Sequence, residues 1–235
     1  MTKKALMALM LAATLPVAAH AENDLDELRG SDRLTNEWKL VKNDKLRNIK
    51  AYAKLEDGKK IRSFRIEAVI DAPMEAVARV GFDIDSYQRW YWQLLDAKLL
   101  KKVSDREYIY YLVHNAPVGN PDRDVILRAV VEPYTAQKGY ALVRINALPD
   151  YLPPKPPLVR MQAEDMVVKY TPLGKNKTLF ENEGYIDPGG AAPVWTVNFV
   201  QRQAPYAAVV GMLRMVQLPE YLNSDKPLPY KLFAN

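Results

Sequence analysis

The stretch PVWTVNFVQRQAPYAAVVGMLRMVQ, residues 193–217, carries the longest helical pattern in the chain, and the fold turns on it. Trp195, Phe199, Tyr206, Val209, Val210 and Leu213 fall near one stripe at helical spacing. Pro205 interrupts the pattern; it has no N–H and crowds the preceding turn, so a kink or a division of the helix is expected there. Nearly everything upstream reads as strand. Strand-like runs cover 38–43, 49–55, 61–70, 97–103, 107–113, 123–131, 140–147, 159–170 and 178–186, with turns at Asp57-Gly58, Ser104–Arg106, Lys138-Gly139 and Gly174-Lys175. Asp71-Ala72-Pro73-Met74-Glu75 reads as a helix start with a capping acid, ending near Gly81. Tyr87–Trp92 reads as a second short helix, and Asp24–Gly30 as a third. Three strands, two short helices, about six strands and one long helix do not alternate as βαβ units. The pattern predicts an α+β fold: an antiparallel sheet curved around the long C-terminal helix.

Composition narrows the chemistry. Of 235 residues, 49% are hydrophobic and 26% charged, with no cysteine and only two histidines, His20 and His114. Disulfide frameworks, thiol nucleophiles and Cys-ligated metals are excluded, and a histidine-based metal centre nearly so. Neither metal nor cofactor is expected. Lys3 and Lys4 precede an apolar run, Ala5–Ala19, that is too short to span a bilayer, and Ala19-His20-Ala21 has the small-x-small form of a cleavage site. Residues 1–21 therefore read as a signal peptide, and 22–235 as a single exported domain, most simply periplasmic. Lys3 and Lys4 leave with the leader, so 33 basic residues become 31 against 28 acidic ones, a net charge of +3. The charges are interspersed, which argues hardly at all for nucleic acid.

Four segments in register bear a resemblance to a known family. Ala116-Pro117-Val118-Gly119-Asn120-Pro121-Asp122-Arg123-Asp124 resembles the Pro-containing omega loop and Arg-Asp strand start of START lipid-transfer domains. Leu158-Val159-Arg160-Met161, Tyr185-Ile186-Asp187-Pro188-Gly189-Gly190 and Pro193-Val194-Trp195-Thr196-Val197-Asn198 resemble its later motifs, and the segment ending at Trp90 fits an upstream position. The similarity spans Phe64 to Leu218. It implies a helix-grip fold whose sheet and terminal helix enclose a hydrophobic tunnel with the omega loop and helix at its mouth. Some sterol-carrying members bury an acid–base pair in that tunnel; here those positions fall on Tyr110 and Ala129, so the pair is absent.

The resemblance implies a carrier of lipid or another hydrophobic small molecule, without catalysis, with transient membrane contact and no nucleic-acid partner. Its tunnel wall is expected at Tyr110, Leu112, Val125, Leu127, Ala129, Trp195, Phe199 and Tyr206. Its gate is expected at Asn115, Pro117, Gly119, Pro121 and Pro205. An Arg123–Asp124 salt bridge is expected to fix the omega loop. The five prolines within 149–157 make either a rim or a plain connector. His114 reads as a loop or surface residue rather than a general base, since no oriented triad accompanies it. Two alternatives stay open: a small-molecule enzyme of aromatase/cyclase type on the same fold, and an interaction module with a filled core.

Overall fold

The computed structural model describes residues 34–117 and 119–234; the expected leader and the helix expected at 24–30 lie outside them. Ten strands form one sheet: β1 Lys39–Asp44, β2 Ile49–Lys54, β3 Ser63–Ile70, β4 Leu94–Lys102, β5 Glu107–His114, β6 Arg123–Glu132, β7 Ala141–Ala147, β8 Val159–Arg160, β9 Ala163–Pro172 and β10 Thr178–Asp187. Their order is β1-β2-β3-β10-β9-β7-β6-β5-β4. All of these neighbours are antiparallel, and β8 pairs parallel with the start of β6. The register of β1 on β2 and of β4 on β5 shifts, and such bulges twist edge strands away from further pairing. The sheet curves around a C-terminal helix, as the element order predicts.

The connections depart from expectation in four places. The run 159–170 is two strands, because the backbone changes partners at its bend: Met161 N–H donates to the Asp124 carbonyl, and Gln162 N–H to that of Asp187. Helix α1, Met74–Phe82, starts where expected, but Pro73 is its N-cap and Asp71 makes no capping bond, pairing instead with Lys177 at the surface. The second helix is a 3₁₀ segment, Ile84–Arg89, with Trp90 just beyond it. Helix α2, Val194–Val216, runs through Pro205 without dividing.

Alternation decides which side chains go inside. Phe64, Ile66, Ala68 and Ile70 of β3 and Val125, Leu127, Ala129 and Val131 of β6 are all buried in the main core. Val209, Met212, Met215 and Val216 of α2 pack against the same core, each worth about 1.5–3 kcal/mol when fully buried. Gly211 sets how near α2 can come, since a Cβ there would collide with the Trp90 carbonyl. Beyond α2, the short helix α3 (Pro219–Leu222) leads into an irregular tail that has a defined seat. Tyr230 of that tail stacks on Tyr108 at 4.1 Å and meets Phe82 edge-on, closing one end of the core.

Halfway along α2, the Tyr206 hydroxyl donates 2.7 Å to Asp44 Oδ2 at the tip of the β1–β2 hairpin. That bond, helped by Arg47 and opposed by partial burial, holds the Asp44 carboxyl at about 2 against an ordinary 3.8. A carboxyl depressed in the fold contributes stability above its unfolded value and loses it as pH falls through the folded one, here between about 4 and 2. Tyr206→Phe should move the Asp44 midpoint, read by carboxyl NMR titration, upward from about 2, and should flatten the fall in stability over that interval. An unchanged midpoint would show that the tether is not made in solution.

Candidate functional site

Between α2 and the inner face of the sheet lies a cavity in two chambers. The mouth chamber, about 120 Å³, is bounded by Tyr91, His114, Asn115, Pro117, Pro188 and the α2 residues Thr196, Val197, Val200 and Gln201. The deeper chamber, about 90 Å³, is lined by aromatic and aliphatic side chains including Tyr87, Tyr110, Leu112, Met166, Tyr170 and Val209. Tyr91, Ile186 and Ala204 line both, so the two chambers meet at these residues. Burial keeps the phenols of the deep chamber protonated, with Tyr87, Tyr108, Tyr110 and Tyr170 all raised above the ordinary tyrosine value. They can exchange hydrogen bonds but carry no charge.

The loop before β6 is shaped by two acids on opposite ties. Asp122 Oδ1 accepts from Ala116 N–H at 2.9 Å, and Asn120 N–H donates to the Pro117 carbonyl. Asp124 is fully buried and takes Arg160 Nε at 3.0 Å and Nη2 at 2.9 Å, with the Tyr111 hydroxyl at 3.1 Å. Burial and then Asp124 push Tyr111 up to about 12, so it stays a donor. The expected Arg123–Asp124 bridge is therefore replaced by Arg160–Asp124. Neighbours on a strand face opposite sides, so Arg123 turns to the mouth chamber, where it donates to the Pro121 carbonyl. Burial pulls the Arg123 pKa down from its ordinary value, with Asp122 opposing.

Of the expected wall, Tyr110 and Leu112 line the deep chamber, and so does Pro205 from the expected gate. Asn115 and Pro117 line the mouth; Gly119 sits in the loop at φ +87°, and Pro121 contributes its carbonyl to Arg123. The rest of the expected wall lies elsewhere. Val125, Leu127 and Ala129 are fully buried in packed core and reach neither chamber. Trp195 is 74% exposed and Phe199 43%, both facing outward, while Tyr206 is taken up by Asp44. The Pro149–Pro157 segment is not a rim. It covers the opposite face of β5 and β6, where Leu152 and Leu158 pack on Ile109, Tyr111 and Ile126.

His114 is the last residue of β5 rather than a loop or surface residue, and its imidazole lies 3.5 Å from Glu164 in the mouth chamber. Glu164 was legible in part: it shares a strand face with Met166, Val168 and Tyr170, an acid in phase with an apolar series. The α2 residues at the mouth had no such signal, because Thr196 and Gln201 are small or polar and the large aromatics beside them draw the stripe away. Among the described residues, no group of three carboxylates or imidazoles converges as a metal site requires.

The START domain model matches residues 20–220 of this chain. The structure resembles a STAR-related lipid transfer protein from Xanthomonas axonopodis, with 26% identity over 77% of this chain and 99% of that one and a TM-score of 0.71. It also resembles human STARD10, with 19% identity over 92% and 91% of the two chains and a TM-score of 0.67. No curated protein matches the chain.

Asp124–Arg160 gives the sharpest stability test. Arg160→Leu leaves a buried carboxylate with only Tyr111, and should cost about 3–5 kcal/mol. For a domain of this size that lowers the melting temperature by roughly 6–20 °C. The double variant Asp124→Leu/Arg160→Leu should recover much of the loss, since it removes both charges. Calorimetry on the three proteins checks this. An Arg160→Leu protein that melts with the wild type would show that Asp124 has another partner.

Proposed function

This chain belongs to the START domain family, and from that premise we propose that it carries a hydrophobic ligand, of lipid type, in the two-chambered cavity under α2. The observation that supports the reading best is the cavity itself. Its surface is mainly apolar, with polar side chains gathered on one wall of the mouth; it runs from the loop at Asn115–Pro117 to the tyrosine cluster and is bounded along one side by a single helix. An apolar ligand leaving water for such a wall gains about 25 cal/mol per Å² buried, with no bond made or broken. The chambers are smaller than the roughly 300–1,000 Å³ of ordinary ligand pockets, so admission requires the wall to yield. The elements to yield are the Asn115–Pro121 loop and the first half of α2, which bounds the mouth chamber through small side chains.

Val194, Trp195 and Phe199 are exposed on the outer side of that half-helix. No helix among the described residues is long and apolar enough to cross a membrane. These three side chains fit transient contact with a lipid surface, where an aromatic ring rests at the boundary between water and hydrocarbon. With residues 1–21 read as a signal peptide, the proposed site of action is outside the cytoplasm, in a periplasm. Its role there is to hold and deliver ligand, not to transform it.

The purified protein should speed movement of a fluorescent phospholipid from donor to acceptor phosphatidylcholine–phosphatidylglycerol vesicles. The double variant Trp195→Ser/Phe199→Ser should slow that transfer several-fold while binding the same amount of lipid. No transfer by the wild type would contradict carriage. Equal rates would assign the exposed aromatics another role.

A further inference from the structure

The mouth chamber has one polar wall that the carrier reading leaves unused. Glu164 on β9 is 1% exposed, and its Oε2 has no hydrogen-bond partner among the described residues. His114 Nε2 lies 3.5 Å from it and is likewise without a hydrogen bond. Gln201 of α2 is 3% exposed; its Nε2 donates to the Ile186 carbonyl at 2.8 Å, which leaves Oε1 unpartnered. Ile186 is the register partner of Glu164, so β9, β10 and α2 converge here. Arg123 lines the same chamber with an unpartnered Nε.

Buried acceptors without donors are costly, a carboxylate most of all, and the cost is removed when a donor arrives. A carboxylate and an amide oxygen can only accept, and a second anion placed against Glu164 would be repelled. We infer that the polar end of the ligand is a hydrogen-bond donor, a hydroxyl or an amine N–H, seated on Glu164 Oε2 beside Gln201 Oε1 and His114. Arg123 is the counterpart for any acceptor oxygen next to that donor. The inference rests on the carrier reading and adds the chemistry of the ligand's head: an uncharged alcohol or an amine on an apolar chain, not a carboxylate. None of these residues stands where the resemblance puts an acid–base pair, on Tyr110 and Ala129.

Delipidated protein titrated with 1-decanol, decyl methyl ether and decanoate separates the possibilities by calorimetry. The wild type should bind decanol about tenfold more tightly than the ether, because a site built around a donor rejects the analogue lacking it. Decanoate should bind more weakly still. Glu164→Leu should bind alcohol and ether alike. Glu164→Gln, nearly identical in shape, should keep a reduced preference for the alcohol and gain affinity for decanoate; it serves if the leucine variant does not fold. Equal affinity of the wild type for alcohol and ether would overturn the donor seat while leaving carriage intact, as would Glu164 variants that keep the full discrimination. Binding of none of the three would overturn the carrier reading and this inference with it.

Discussion

Arg160 has five N–H donors, and the fold uses all of them. Two go to the fully buried carboxylate of Asp124, and three to the carbonyls of Pro149, Leu152 and Pro153. A guanidinium can be taken out of water only when its donors are met in this way, and a carboxylate only beside such a partner. The pair fixes the first residues of β6, the parallel strand β8 and the proline-rich segment as one unit. Asp122, two residues before the pair, then holds the entry of the Asn115–Pro121 loop. Because Asp124 points to the outer face, Arg123 must point inward, and the mouth of the cavity acquires its cation.

Helix α2 is held by a different logic. Its second half packs Val209, Met212, Met215 and Val216 into the core, and Gly211 lets it rest on the Trp90 backbone. Its midpoint is tied to Asp44 through Tyr206. The first half is held by polar ties more than by apolar packing: Gln201 Nε2 donates to the Ile186 carbonyl and Asn198 Oδ1 accepts from Arg62 N–H, while Thr196, Val197, Val200 and Gln201 face the mouth chamber and Trp195 and Phe199 face out. Proline at 205 cannot donate to the carbonyl four residues earlier, so the hydrogen-bond ladder is weakest between the two halves. This division is the physical basis for proposing the first half of α2, and not the whole helix, as the moving wall.

Strands and the terminal helix were legible because hydrophobic alternation at period two and apolar recurrence near 3.6 are local signals, as in Phe64–Ile70 and Val209–Val216. Partners were not. Arg160 lies 36 residues from Asp124, and nothing local distinguishes it from adjacent Arg123; only the rule that strand neighbours face opposite sides argues against the nearer pair. Alternation also tells which face is inside but not whether space remains there. Tyr110 and Ala129 face inward alike, yet Tyr110 borders the deep chamber and Ala129 sits in packed core. On α2, size misled: two of the three aromatic side chains, Trp195 and Phe199, are outside, and the cavity wall is made by smaller side chains. The break between β8 and β9 depends on an exchange of backbone partners, which hydropathy does not encode.

The central claim is that ligand occupies the space where the two chambers meet, at Tyr91, Ile186 and Ala204. Ala204→Trp would fill that junction from the helix side. Native mass spectrometry of freshly purified wild type should show protein carrying heterogeneous adducts of lipid mass. The Ala204→Trp protein should run at its bare polypeptide mass while melting close to the wild type. A folded Ala204→Trp protein that retains the full complement of adducts would contradict the account.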